Sequence, residues 1–542
     1  MGEKDMPIAP LQEVLSDGGE QQGTVESNRV EEKYGHMQRR LQSRHIQFIA
    51  LGGAIGTSLF LGIGSSLAKA GPLSLVLGFA TSGLAVYGMM VTLGEMTTWL
   101  PVPGAIPQFC ARFVDDALGF ANWYFCAIVV CLDISAAALL IDYWPGSRSI
   151  SPAVWITLII ALILFLNIFA VSIYGEAEFC FASIKLITIV GLLILSVVII
   201  LGGGPSGDRL GFRYWKDPGA MNALAPAEGA TGRFLGFFSV LIYAAFTYAG
   251  VEMIAAAAGE AENPRRNVPK AVRRVIWRIL LFYVLGSLAI GCMVASDNEN
   301  LLGGKGAARS PWVIGISTAG IKVLPHIINA AILTSAASSA NAFLYTGSRY
   351  LYALASEGQA PRVLLTCTKS GVPIYCVLIT GSVSVLTYMT VSVAGSTVFL
   401  WFANLVTVAS LLTWVSICIA FIRFRKAQQV QGLTDRNPWY KGPFQPYTAW
   451  ITMIFFSVLT LFNGFQVFMT GKWNVQDFIV SYIGIPIFAF FIIFWKLVKR
   501  TKIHSLESMD LMSGRREIDA MEGKWVEPVP RNFLEKIWYW IT

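Results

Sequence analysis

The sequence predicts an all-α polytopic membrane protein of about twelve transmembrane helices. Three observations carry this reading. Of the 542 residues, 55% are hydrophobic and only 14% charged, against roughly 25% charged in soluble domains. Apolar runs of about 20 residues, the length that crosses a bilayer, recur between residues 46 and 498. Two of these runs, the first and the sixth, are interrupted by glycine near mid-membrane depth. Breaks five spans apart match a five-plus-five inverted repeat in which helices 1 and 6 are discontinuous, followed by two C-terminal helices.

Residues 1–43, rich in Gly, Glu, Gln and Ser, read as a disordered tail. The tail lacks an apolar signal region, so the first span itself acts as the insertion signal. Spans are expected near 46–69, 73–99, 118–142, 152–172, 179–201 and 234–257. The second six are expected near 275–295, 322–346, 372–392, 396–422, 447–469 and 477–498. The membrane domain is thus 44–498, with one repeat at 46–201, a second at 234–422 and helices 11 and 12 at 447–498.

Basic residues orient the spans. Arg265, Arg266, Lys270, Arg273, Arg274 and Arg278 crowd the loop Glu260–Arg278. Arg423, Arg425 and Lys426 end the tenth span, and Lys496, Lys499 and Arg500 end the twelfth. This bias places both termini in the cytosol, and it accounts for the formal charge of +8 without nucleic acid. The tail 499–542 ends in RNFLEKIWYWIT, where Phe533, Leu534, Ile537, Trp538 and Ile541 form one apolar face. That face suits a lipid surface or a cytosolic loop equally. The eight cysteines lie in or beside apolar segments, outside the external loops Gly202–Arg233 and Ser296–Ile321, so no disulfide is expected.

The first span carries Gly52-Gly-Ala-Ile-Gly-Thr57 at its middle. Glycine costs roughly 1 kcal/mol against alanine inside a helix, so three in five residues mark an interruption. Amides freed there, at the positive end of the following half-helix, suit a carboxylate. The alternative is that the glycines only let two helices pack closely. The sixth span reads Tyr243-Ala-Ala-Phe-Thr-Tyr-Ala-Gly250-Val-Glu252, and its break frees carbonyls that suit an ammonium. Together the two breaks make a clamp for a zwitterion.

Ionisable residues inside spans cost about 2.5–3.5 kcal/mol on insertion scales, so each is a functional candidate. Lys185 lies roughly 10 Å into the expected fifth span, where it either contacts the first break or snorkels to the interface. Glu252 follows the second break and serves in coupling or gating, or as a helix cap. Asp133 sits midway along the third span, placed to carry a proton, bind a substrate ammonium or pair with a lysine. Glu95, near the cytosolic end of the second span, is a further coupling candidate but reads better as a wet interfacial carboxylate. Ser335, Ser338, Ser339 and Asn341 either line a cavity or pack helices. Phe246, Trp401 and Phe402 either close over a substrate or fill space.

Enzyme chemistry is not indicated. The four histidines, at 36, 45, 326 and 504, show no metal-ligand spacing, and no C-x-x-C occurs. LGGGPSG at 201–207 lacks the Lys-Ser/Thr of a phosphate loop. No cofactor, metal or nucleotide-driven motor is expected, which leaves an ion gradient as the energy source.

Several stretches together resemble fungal amino-acid permeases, the yeast amino acid transporter family of the amino acid–polyamine–organocation superfamily. They are RHIQFIALGGAIGTSLFLG, LGEMTTWLPVPGA, YGEAEFCFASIK, FTYAGVEM, GEAENPRRNVPKAVRRV and SSANAFLYTGSRYLYALASEGQAP. The resemblance runs from Arg44 to about Arg425 and more weakly beyond. It implies proton-coupled import of L-amino acids at the plasma membrane by alternating access. By position it implies that Gly53, Ala54, Ile55, Gly56 and Thr57 hold the substrate carboxylate. Phe246, Thr247, Tyr248, Ala249 and Gly250 would hold the amino group, with Phe246 also a gate, and Lys185 matches the family's fifth-span lysine. The external stretch LGGGPSGDRLGFRYWKDPGAMN resembles the dicarboxylic branch. Asp133 departs from it: a glutamine is expected there in members for acidic substrates, and Asp133 repels a second carboxylate unless protonated. Branch and pocket therefore disagree, and acidic or broad neutral substrates both stay open.

The partners expected are an amino acid, a proton and membrane lipids, with ubiquitin-ligase machinery acting on the cytosolic tails. An exchanger without net proton flux uses the same site. A sensor built on a permease fold is the alternative from another class, but an N-terminal tail of ordinary length speaks against it.

Overall fold

The computed structural model describes residues 48, 55–169, 171–260, 263–303, 310–433, 440–513, 515 and 532. The tails at 1–43 and 516–531, the apolar end RNFLEKIWYWIT apart from Asn532, and Gly52, Gly53 and Ala54 lie outside them. Every regular element among these residues is helical.

In chain order, α1 is Ile63–Trp99, α2 Ala105–Phe113, α3 Asp116–Ala121, α4 Tyr124–Ile141, α5 Pro152–Ile168 and α6 Val171–Ile200. Then come α7 Gly229–Thr247, α8 Met253–Ala257, α9 Pro264–Arg278, α10 Leu285–Met293, α11 Asn300–Gly303 and α12 Pro311–Thr318. The last are α13 Leu324–Ser356, α14 Ile374–Ser382, α15 Gly395–Val430, α16 Tyr447–Leu461, α17 Val475–Tyr482 and α18 Gly484–Lys499.

Eight helical stretches are long and apolar enough to span a bilayer, and the pair α17–α18, bent by 47°, passes the same test jointly. The stretches expected near 152–172 and 447–469 correspond to the shorter apolar helices α5 and α16, and α1 holds the end of the first expected span and the whole of the second. Two boundaries differ from expectation. The basic segment Glu260–Arg278, expected as a loop, is helical from Pro264 onward and continues into the seventh span. Proline at the first helical position supplies a start where no amide donor is needed. The fifth span begins at Val171 rather than 179, so Lys185 sits fourteen residues into α6, roughly 21 Å along it at 1.5 Å per residue.

Helices α4 and α13 pack along each other, as do α1 and α7. Close approach needs small residues in place of a hydrophobic drive between helices. A Cβ on Gly78 of α1 would lie 2.5 Å from Val240 of α7. Gly71, at φ +80°, turns α1 between its first and second spans, and a Cβ there would meet the Ala220 carbonyl at 2.8 Å.

Beyond α18 the chain forms a strap over the helix ends. The His504 amide donates to the Val114 carbonyl at 3.1 Å. Arg423 reaches the Phe113 carbonyl at 2.7 Å and the His504 carbonyl. Gln431 donates to the carbonyls of Leu506 and Met509, and the Trp99 indole to that of Leu511 at 2.9 Å. Met509 and Leu511 are the buried residues of the strap.

Candidate functional site

The two helix breaks face each other. After the first, a turn forms at Thr57, whose carbonyl accepts from the Phe60 and Leu61 amides, and α1 follows at Ile63. Among the described residues no acceptor faces the amides of Gly56, Thr57 or Ser58, as befits the orphan donors of a helix start. In the second break, Gly250 takes φ +101° and the ladder of α7 gives way to tight turns. Ala249, Val251 and Met253 donate to the carbonyls of Phe246, Tyr248 and Gly250. Among the described residues no donor reaches the carbonyls of Thr247 and Ala249. A loose pair of acceptors thus opposes a loose set of donors.

Between them lies a small cavity of about 20 Å³, lined by Gly56, Thr57 and Ser58, by Phe246 and Ala249, by Val129, Leu132 and Asp133 on α4, by Ser339 and Phe343 on α13 and by Val406 on α15. That is room for about one water. Phe246 lines both this cavity and a vestibule of about 420 Å³. The Tyr243 hydroxyl donates to the Ser58 carbonyl at 2.6 Å and ties the two broken helices together at this boundary.

The opposite side is sealed in depth. Arg349 pairs with Glu260 at 2.8 Å, both buried. The guanidinium lies 3.8 Å from the centre of the Tyr345 ring, which stacks on Tyr174 at 4.1 Å. A buried pair whose charge is shared with an aromatic face is a strong clamp.

The ionisable candidates fall into three places. Asp133, 3% exposed, accepts from the Thr57 hydroxyl at 3.3 Å through Oδ1, while Oδ2 has no partner among the described residues. Lys185, 1% exposed, faces Glu178 and Asp133 electrostatically. Glu252 lies outside the cavity, accepting from the Gly250 amide at 3.2 Å and the Trp414 indole at 3.3 Å, with Oε1 unpartnered. Glu95 is far from both. Expected as a wet interfacial group, it is buried, paired with Arg425 at 3.0 Å and bonded by the Gly442 amide at 3.1 Å. The helix end it was placed on is covered by the segment at Lys441–Gln445, which excludes water.

Other expectations need correction. Ser338 and Asn341 do not line the cavity: their side chains donate to Glu178 at 2.8 and 3.4 Å. Ser339, one residue round the helix, faces the cavity instead, and Ser335 donates to the Ile55 carbonyl at 3.2 Å. Trp401 and Phe402 line neither cavity; on α15 it is Phe399, Leu400, Ala403, Asn404 and Thr407 that face the vestibule. Thr247, Tyr248 and Gly250 shape the break without lining the cavity, and the Tyr248 hydroxyl turns away to donate to the Phe79 carbonyl. Gly53 and Ala54 lie outside the described residues, whereas Ile55 is buried, its carbonyl held by Ser335.

Glu178 was missed. It is fully buried, and it stands seven residues before Lys185 on α6. Seven residues is two turns, so both side chains share a helix face. That spacing was the available signal, hidden because the span was started one residue too late to include Glu178.

Comparison with known proteins follows this geometry. Over 523 residues the chain is 45% identical to a proline-specific permease of Emericella nidulans, covering 94% of each chain. It is 44% identical to the proline-specific permease of Saccharomyces cerevisiae, over 92% of this chain and 82% of that one. The dicarboxylic amino acid permease of the same yeast is 38% identical over 90% of this chain and 81% of its own length. The dicarboxylic leaning of the external loop is therefore corrected: over the whole chain the proline-specific relatives are more similar. The solved structure of the Eremococcus coleocola manganese transporter superposes with a TM-score of 0.52 at 14% identity, over 84% of this chain and 94% of that one, a likeness of fold alone. The family model for amino acid permeases matches residues 45–508. Fold, broken helices and sequence agree, and the chain belongs to the amino acid permease family, a multi-pass membrane protein of amino-acid transport.

Proposed function

We propose that this protein imports proline, or a similarly small apolar amino acid, across the plasma membrane together with a proton. The observation that carries the proposal is the cavity between the two helix breaks, with the unused amides of Gly56, Thr57 and Ser58 on one wall and Ala249, whose carbonyl is unused, on the other. A carboxylate fits the amides. The secondary ammonium of proline has two N–H donors, the number of free carbonyls in the second break. The remaining walls, Val129, Leu132, Phe246, Phe343 and Val406, are apolar and suit a ring once the cavity widens beyond its room for one water. Among the described residues no cation lines the cavity to receive an acidic side chain, and Asp133 opposes one. The similarity to proline-specific permeases supports the same choice.

The proton is assigned to the Asp133–Lys185–Glu178 group. A buried carboxylate oxygen without a donor, such as Asp133 Oδ2, costs free energy until it takes a proton or a ligand. Its Oδ1 already holds Thr57, so loading Asp133 bears directly on the substrate-binding turn. With both termini cytosolic, the vestibule faces outward, and the Arg349–Glu260 clamp closes the inner side. Import then runs from vestibule past Phe246 into the cavity, and inward when the clamp parts.

The test is uptake of labelled proline, glutamate and lysine into cells lacking their own amino-acid permeases, with and without a protonophore. Saturable proline uptake that collapses with the gradient is expected. Preferred glutamate uptake would overturn the substrate, and proline uptake indifferent to the protonophore but driven by internal amino acid would make the protein an exchanger.

A further inference from the structure

The vestibule holds charges that neither the helix breaks nor the proton group uses. Lys69, near the end of the first span, and Lys472, in the turn before α17, both line it. Both side chains open onto the same cavity, so their charges add to one positive field. Lys472 is anchored on the Ala225 carbonyl. Among the described residues no carboxylate is paired with either lysine, and Lys69 has no hydrogen-bond partner. Lys69 is exposed and opens onto the vestibule. Two like charges held together at the mouth of a cavity are costly unless something anionic visits them.

The rest of the vestibule is polar in a way that fits a zwitterion. Asn404, Asn463 and Gln466 offer amides, and Asp477, in the first turn of α17, offers a carboxylate. Phe246 forms part of the same wall and also lines the inner cavity. A molecule held at the lysines therefore waits in front of the gate it must pass.

We propose that the vestibule is an outer binding subsite for the substrate itself, in which Lys69 and Lys472 hold the α-carboxylate and Asp477 the ammonium before Phe246 moves. The subsite rests on the transport reading and deepens it. It acts before the translocation step, so its loss weakens capture and leaves turnover of bound substrate alone. Because it lies at the rim and is wet, its attraction is screened by salt, with a Debye length of about 8 Å at physiological ionic strength.

The experiment is concentration-dependent uptake of labelled proline by wild type, by the double variant Lys69→Gln/Lys472→Gln and by Lys69→Arg/Lys472→Arg, each at equal surface abundance. The expected result is a KM raised about threefold per neutralised lysine, with the maximal rate within about twofold, as for loss of binding shared by ground and transition states. Raising external salt with an impermeant cation should raise the wild-type KM and leave that of the Gln variant unmoved. The Arg variant should keep the wild-type KM. Inhibition by prolinamide, which has no carboxylate, should be equal in wild type and the Gln variant. An unchanged KM and salt response in the Gln variant overturns the subsite while leaving transport intact. A wild type that takes up no proline overturns the transport reading and the subsite with it.

Discussion

The Thr57 hydroxyl donates to Asp133 Oδ1 across 3.3 Å, joining the turn that follows the first helix break to a carboxylate 76 residues downstream. The bond gives the turn proposed to hold the substrate and a titratable group one shared degree of freedom. Asp133→Asn keeps the shape and an acceptor for Thr57 but removes the charge. Uptake should persist at a reduced maximal rate and no longer respond to a protonophore. Measured proline uptake that stays fully gradient-dependent would place the proton elsewhere.

Glu178 and Lys185 make a second testable pair. Removing one member of a buried charge pair costs about 3–5 kcal/mol, because the other charge is left uncompensated. Glu178→Gln should therefore lower the thermal stability of the detergent-extracted protein. Adding Lys185→Met should restore much of it, with a coupling of about 1–3 kcal/mol in a double-mutant cycle. Independent, additive losses would show that the two side chains do not act together.

At the edge of the vestibule, Gly62 lies directly under the Tyr243 hydroxyl, and a Cβ there would collide with it. Overpacking of this kind costs about 1–3 kcal/mol, or roughly ten- to hundredfold in rate if the tie to Ser58 is lost with it. Gly62→Ala should depress uptake by that order, and Tyr243→Phe, which frees the space, should recover part of it. Uptake by Gly62→Ala equal to wild type would mean the two broken helices are not held at this point.

The inner clamp predicts a shift of state. Arg349→Met leaves Glu260 buried without its ion-pair partner, again at about 3–5 kcal/mol. The sealed conformation should lose ground to one open on the inner side. A cysteine at Ser338, sealed in the wild type, should then react with a thiol reagent applied to inside-out vesicles, and faster than in wild type. Equal labelling rates would remove the clamp from gating.

The strap offers a pH-linked case outside the spans. Burial alone would push the Asp115 carboxyl up, but Lys496, the Ala117 amide and the Thr501 hydroxyl outweigh it and hold the group below the usual carboxylate range. With a depressed folded value, its contribution is present above the ordinary carboxylate pKa and lost as pH falls through the folded one. Asp115→Asn should mimic acid at neutral pH, loosening residues 501–513 to protease without unfolding the spans. Protection identical to wild type would show that the Asp115–Lys496 contact, 2.7 Å long, holds nothing.

Much of this was legible in the chain because membranes punish exceptions. Glycines at 52, 53 and 56 and at 250 stand out against the cost of breaking a helix in lipid. A lone Asp133 within an apolar run is conspicuous for the same reason. What sequence alone leaves open is helix phase. Ser338 and Ser339 are chemically identical neighbours, and only the position of α6 decides that one holds Glu178 while the other faces the cavity. Trp401 and Phe402 failed for the same reason on α15. Glu178 hid at a span boundary, where hydropathy falls and a carboxylate looks like a flanking residue. The strap has no period at all: its bonds run from side chains of distant helices to main-chain carbonyls, which leave no pattern in residue order.

That strap ties the carboxyl-terminal side of the chain to the ends of the helices around Phe113 and Arg423. Between Ile503 and Ser513 the peptide is held at its buried residues Met509 and Leu511, while Ile503 and Met512 stand exposed. If those helix ends part when the carrier opens inward, the peptide is released in the same stroke. Each opening would then uncover Met509 and Leu511, a local mark of transport on the face where the strap lies.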